Sequence, residues 1–324
     1  MKYKLIVASI VLVLHISSVK SQLITMNVAD GKYDNEIAFA SDTQAPLWIE
    51  SVFLKDNNNR KATGMIFNNI ASRHPLALFL LGDIVSLGTS KKAWKPMKKY
   101  LDSCRNIGIP VHGILGNHEV MGKSDKGQRR FQTFFPNHVT TGYYDVVDSV
   151  AVVLLNSNFS TLSRSNEQKQ LAWYKETIEM LDENPAVQYI IISCHHSPYS
   201  NSKLVGSSKA VQQKFVPQYI KSPKSKMFLS GHSHAFEHFK IEGKDFLVIG
   251  GGGGLHQPLN FGTGQLTDIN SYYKPAFHYL TVKRFQDHLQ VSSQKLKEKF
   301  DGFEVGLKFN INRFDQPKAV VETK

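Results

Sequence analysis

Gly231-His232-Ser233-His234 places two imidazoles, one residue apart, directly after the apolar run Met227-Phe228-Leu229. A short apolar run that ends in metal-ligand residue types reads as a buried strand handing the chain to a functional loop. The same pattern occurs four more times. Ile37-Ala38-Phe39-Ala40 leads to Asp42-Thr43-Gln44, and Leu78-Phe79-Leu80-Leu81 leads to Gly82-Asp83. Val111 to Leu115 leads to Gly116-Asn117-His118-Glu119, and Tyr189-Ile190-Ile191-Ile192 leads to His195. In an open α/β sheet, ligands collect outside the carboxyl ends of the strands, so five distant pieces can build one site. The expected fold class is therefore α/β, with a metal site at the strand ends.

Composition is consistent with a globular chain. Its 324 residues are 41% hydrophobic, ordinary for one large domain, which excludes a disordered chain. The formal charge is +12, and removing Lys2, Lys4 and Lys20 with a leader would leave it basic. Such an excess suits a small anionic substrate or a solvated basic exterior, and no specific nucleic-acid signature accompanies it. Residues 1–21 have a basic start, an apolar run from Leu5 to Ile16 and Val19-Lys20-Ser21 before Gln22, the pattern of a signal peptide. That run is short for a bilayer span. The expectation is an exported protein, secreted or periplasmic, with no transmembrane segment in the mature chain. Cys104 and Cys194 are too few for a disulfide framework, and the sequence leaves their pairing open.

Between the clusters, Lys91 to Arg105 reads as an amphipathic helix with Trp94, Met97 and Leu101 on one face and Pro96 near its start. Gly122 to Phe135, with Lys123, Lys126, Arg129 and Arg130, reads as a phosphate-receiving lid or a charged surface helix. Tyr143-Tyr144-Asp145-Val146 and Val150 to Leu155 form an expected hairpin, followed by a helix that Asn166 can cap. Lys209 to Ile220 is one expected helix. Phe246 to Ile249, Phe277 to Val282 and Leu289 to Ser293 are expected strands. The five glycines 250–254 lack a following Gly-Lys-Ser or Gly-Lys-Thr, which excludes a nucleotide P-loop. Their expected use is a backbone passing close to the site or folding tightly on itself.

Taken in order, Asp-x-Gln, Gly-Asp, Gly-Asn-His-Glu, a late His and Gly-His-Ser-His resemble the calcineurin-like metallophosphoesterase superfamily from about Ile37 to about Ser293. Residues 231–238, and His195-His196-Ser197-Pro198-Tyr199, are further similar to purple acid phosphatases. The resemblance implies a four-layer α-β-β-α sandwich of two mixed sheets flanked by helices, with a dinuclear metal site at the strand carboxyl ends. With the leader and the polar, basic end set apart, the expected division is a signal peptide (1–21), a metallophosphoesterase domain (22–294) and a basic C-terminal extension (295–324), either a tail or an added edge element. The resemblance also implies that Asp42, Gln44, Asp83 and His234 surround one transition-metal ion, Mn, Fe or Zn. Asp83, Asn117, His195 and His232 would surround a second, with Asp83 bridging. His195 is preferred to His196 because it stands directly at the strand end.

Two positions depart from the commoner pattern. Gln44 occupies a place where most relatives have His. Ser86 stands where purple acid phosphatases have a tyrosine ligand, so a purple colour is not expected. The implied reaction is hydrolysis of a small phosphate monoester. Two ions about 3.5–4 Å apart would polarise the phosphoryl oxygens, a hydroxide between them would attack, and His118 would protonate the leaving group. A phosphodiesterase or nucleotide hydrolase is the alternative, and a non-catalytic binding domain of the same fold is the third reading.

Overall fold

The computed structural model describes residues 35–314 apart from 48 and 53. The expected signal peptide, residues 315–324 of the extension and Trp48 lie outside the described residues. Six strands form one mixed sheet: β1 (Glu36–Ala40), β2 (Ala77–Leu80), β3 (Val111–Gly113), β10 (His278–Arg284), β11 (His288–Leu296) and β12 (Phe303–Asn312). Their order is β12-β11-β10-β1-β2-β3. The second sheet has β4 (Tyr143–Val147), β5 (Val150–Leu155), β6 (Tyr189–Cys194), β7 (Ser225–Ser230), β8 (Phe236–Ile241) and β9 (Lys244–Ile249) in the order β4-β5-β6-β7-β9-β8. Strands β1, β2 and β3 run parallel, as do β5, β6, β7 and β9; β10 pairs antiparallel beside the first group, and β4 and β8 beside the second.

Side-chain alternation produces the layers. In β1, Ile37 and Phe39 enter an apolar cluster shared with Val152, Ile191, Met227 and Leu247 of the other sheet. Ala38 and Ala40 point the opposite way, toward helices α1 (Asn59–Arg73) and α2 (Lys91–Asn106). Because successive strand residues face opposite sides, a continuous apolar run is what a strand buried on both faces needs. Ala151, Val153, Ile190 and Ile192 of the second sheet pack on α5 (Arg164–Glu183), α6 (Lys209–Lys214) and α7 (Val216–Lys221). The result is the expected four-layer α-β-β-α sandwich.

Local expectations meet the structure unevenly. In α2, Trp94, Met97 and Leu101 are buried, and Pro96 lies inside the helix. Helix α5 is capped by Ser163, whose hydroxyl accepts from the Asn166 N–H at 3.1 Å, so Asn166 belongs to its first turn rather than capping it. The expected helix from Lys209 to Ile220 breaks at Phe215 (φ −111°), because Pro217 cannot donate an amide to continuous helical bonding. Strand β8 was not anticipated from sequence. Residues 122–135 are largely helix α4 (Ser124–Phe134), anchored by buried Phe131. Cys104 and Cys194 are both free and buried. Phe303–Asn312 adds the edge strand β12, whose Leu307 and Ile311 join the core between the sheets.

Candidate metal centre

The carboxyl ends of β1, β2 and β3 in one sheet face those of β6 and β7 in the other, and the strands deliver their polar termini to one place. Asp42, Asp83 and His232 all adopt left-handed backbone conformations, with φ of 57°, 48° and 67°. Each costs on the order of 1 kcal/mol for a residue with a Cβ. Loop-to-loop hydrogen bonds hold these turns: Asp42 N–H donates to Gly82 O at 3.1 Å, Gln44 N–H to Asp83 O at 3.1 Å, and Gly231 N–H to His195 O at 2.9 Å.

Two overlapping groups of ligand atoms result. Asp83, His195 and His232 form one, and Asp42, Asp83 and His234 the other, with the atoms of each group within 4.8 Å of one another. His195 Nε2 lies 3.2 Å from Asp83 Oδ2 and 3.0 Å from Asn117 Oδ1. His234 Nε2 lies 3.4 Å from Asp42 Oδ1. The other nitrogens are committed elsewhere: His195 Nδ1–H donates to Leu81 O at 2.9 Å, and His234 Nδ1–H to Leu255 O at 2.7 Å. A backbone carbonyl thus fixes the tautomer and aims each Nε2 lone pair inward.

Gln44 fits the same centre. Its amide nitrogen, turned to the backbone, donates to Asp83 O at 2.6 Å and Asp42 O at 3.2 Å, and its oxygen then stands 3.3 Å from His234 Nε2. The carbonyl oxygen then faces the site. His196 turns away, its Nδ1 2.8 Å from Ser157 Oγ and its ring 4.5 Å from that of His232. His195 is thus the member of the pair that stands among the carboxylates.

His118 occupies the rim of this group. Its backbone N–H donates to Asp83 Oδ1 at 2.8 Å and its Nδ1–H to Ser86 O at 2.9 Å, which leaves Nε2 3.8 Å from Asp83 Oδ2 and from Glu50 Oε1. Sequence reasoning gave Glu119 no role, yet it is fully buried and organises two loops. Its carboxylate accepts from the N–H groups of Asp83, Ile84, Val85 and Gly116 at 2.8–3.0 Å. An acidic residue in the first turn of the short helix α3 (Asn117–Val120) was the available signal.

Electrostatics show why cations suit this place. Burial works against charge on Asp83, yet His195 holds its carboxyl well below the usual range. Burial likewise opposes a charged His195, but Asp83 raises it to about 9. Burial, then His195 and His196, push His232 down to about 3. Burial and Asp83 push Glu119 up to about 7, against the pull of its backbone donors. Two buried carboxylates surrounded by inward imidazoles and amide oxygens form a mixed oxygen and nitrogen set that fits divalent transition ions.

The glycines keep backbone near this cluster. A Cβ on Gly116 would stand 2.1 Å from Asp83 Oδ1, and one on Gly254 would stand 2.5 Å from His234 Cε1. The glycine run 250–254 is tied alongside by Gly252 N–H to Ser41 O and Gly254 N–H to Asp42 O, at 2.9 and 2.8 Å.

A two-sheet sandwich with acid and imidazole side chains gathered at its strand ends is the arrangement of a metal-dependent phosphoesterase. The chain belongs to the calcineurin-like phosphoesterase family, whose family model matches residues 36–236. That family implies divalent metal ions. An uncharacterized protein, YvnB, of Bacillus subtilis (strain 168) is 23% identical over 195 residues, 54% of this chain. The chain spans only 14% of that protein's length. Among solved structures, purple acid phosphatase PPD1 from yellow lupin is similar with a TM-score of 0.64 at 14% identity, covering 86% of this chain and 53% of that one. GAP50, the anchor in the inner membrane complex of Plasmodium, has a TM-score of 0.59 at 15% identity, with coverage of 87% and 90%. A dimetal phosphatase from Danio rerio gives 0.55 at 12%, with coverage of 88% and 100%.

Proposed function

We propose that this chain is an exported hydrolase of phosphate monoesters that uses two transition-metal ions, Mn, Fe or Zn. Asp42, Gln44, Asp83 and His234 would hold one, and Asp83, Asn117, His195 and His232 the other. The observation that carries the proposal is the pair of ligand groups sharing Asp83. Metal ions bound there supply Lewis-acid polarisation of the phosphoryl group and an acidified water. His118 is the proton carrier of the chain itself: with Nδ1–H on Ser86 O, its Nε2 is the atom free to serve a leaving alkoxide. The fold likeness to a purple acid phosphatase supports the monoester reading, and the sequence of residues 1–21 supports export. No helix among the described residues is long and apolar enough to cross a membrane.

Elemental analysis of protein reconstituted with each metal should find two ions per chain, and Asp83→Ala should lose both. A variant retaining both would sink the shared-carboxylate assignment. On matched esters, kcat/KM should be at least about 10-fold higher for the monoester, as expected if the site is built for that substrate's transition state; the opposite ratio would make the protein a diesterase.

A further inference from the structure

The exposed apolar side chains are gathered toward one end of the molecule. Ile49, Val52, Met121, Leu204, Phe261 and Leu266 all stand in segments that follow the carboxyl ends of β1, β3, β6 and β9, the end of the sandwich that carries the proposed metal ligands. Glu50, beside Ile49, reaches within 3.8 Å of His118 Nε2, and the loop of Phe261 begins beside His234, whose O accepts from Gln257 N–H at 3.2 Å. Apolar groups therefore stand next to both His118 and His234. Phe261 is 71% exposed and Leu204 56%, yet their loops are firmly built. Asn201 Nδ2 donates to Leu266 O at 2.9 Å and Asn201 Oδ1 accepts from Leu266 N–H at 3.0 Å, while Asn260 N–H donates to Asn201 O at 2.7 Å and Lys203 N–H to Pro258 O at 3.0 Å. A cluster of apolar side chains fixed in water is unfavourable until a partner covers it.

Charge on the same end narrows the partner. Lys91 and Lys92 open α2 directly after the loop that holds Asp83, Lys123 and Lys126 flank the start of α4, and Lys203 adjoins Leu204; all five are exposed. Among the described residues none of the five pairs with an acid. The exposed acids of these segments are Asp56 and Asp125, and residues 250–267 contain no Asp, Glu, Lys or Arg. Lysine is depleted from the core of protein–protein contacts. Apolar side chains interleaved with lysines instead suit an anionic bilayer, where the former enter the headgroup region and the latter meet lipid phosphates. We propose that the metal-bearing end of the protein docks on an anionic lipid bilayer, so that the phosphate it hydrolyses is one presented at that surface. The substrate class rests on the phosphoesterase reading; the docking stands on the surface alone.

Vesicles of phosphatidylcholine, and of phosphatidylcholine with about one-quarter phosphatidylserine, are sedimented with the metal-loaded protein. The anionic vesicles should bind it at least about 10-fold more strongly than the neutral ones, the scale of two lysines at an anionic surface, and added salt should erase the difference. Leu204→Ser/Phe261→Ser should weaken binding to anionic vesicles at least about 10-fold, the scale of one covered apolar side chain. Lys91→Ala/Lys92→Ala/Lys203→Ala should remove most of the preference for phosphatidylserine. With phosphatidic acid, a lipid phosphate monoester, in the same vesicles, both variants should lose hydrolysis in step with binding while soluble 4-nitrophenyl phosphate is hydrolysed at the wild-type rate. Wild type that binds neither vesicle, or variants that bind as the wild type does, would overturn the inference and leave these loops to a protein partner. Hydrolysis of the soluble ester without the lipid would refute the substrate class. Binding in the expected pattern with hydrolysis of neither ester would uphold the docking and refute the phosphoesterase reading alone.

Discussion

Gln44 holds its side chain in two directions at once, with the amide nitrogen on two backbone carbonyls and the oxygen toward the cluster that contains His234. A carboxamide can do this because it carries donors on one atom and lone pairs on the other. An imidazole at this position would offer a better donor to zinc or iron but could not satisfy both the Asp42 and Asp83 carbonyls. Gln44→His should therefore tighten zinc relative to manganese, by roughly 10-fold for a neutral oxygen replaced by nitrogen, while lowering the melting temperature of the metal-free protein. Competitive metal titration and thermal melts measure the two effects. A variant whose metal preference is unaltered would remove Gln44 from the ligand set. At this scale the sequence displayed residue types well and orientation poorly. Asp42 and Asp83 were visible as acids after apolar runs, whereas the inward Nε2 of His195 depends on Leu81 O, a backbone contact between distant segments. Glu119 was visible only as a letter after Asn-His, because its four donors come from two loops brought together by folding.

Each strand end acts as a small device that combines an apolar run, a sharp turn and a ligand. The runs were legible because strands buried on both faces have no polar face to obscure them. Less legible were α6 and α7, separated at Phe215 despite a helical apolar pattern, and β8, which follows Gly-His-Ser-His almost immediately. The use of the glycine run could be anticipated only in outline; the structure supplies a specific consequence. Gly254 donates to Asp42 O while its Cα faces His234, so the element clamps two proposed ligands. Gly254→Ala must displace either the ring or the backbone, at a cost of about 1–3 kcal/mol by analogy with overpacking. Metal affinity should fall more than fold stability would predict, as judged by calorimetric titration beside thermal melting. Normal affinity with a lowered melting temperature would show that the clamp serves the fold alone.

Across the whole molecule, buried neutral histidines link stability to pH. Burial depresses His138 to about 4, below the ordinary value of about 6.5. Between those values the unfolded chain takes up a proton that the folded chain refuses, so stability must fall as pH drops from 6.5 toward 4 and level off below the folded value. The full shift corresponds to about 3 kcal/mol. His138→Leu should flatten that part of a melting-temperature profile measured on metal-free protein, and an unchanged slope would reject His138 as its source. The apolar runs made buried strands legible and the family resemblance implied their four layers, but the antiparallel partner of β1 was not legible. Ile37 pairs with Val282, from nearly the opposite end of the chain. During synthesis, all seven proposed ligands emerge by His234, before the antiparallel neighbour of β1 exists, since β10 begins only at His278. Late, non-local pairing of this kind makes folding slow. A nascent or truncated chain can thus possess every ligand in its sequence and still lack the strand that braces Asp42, which makes chemical competence one of the last properties the polypeptide acquires.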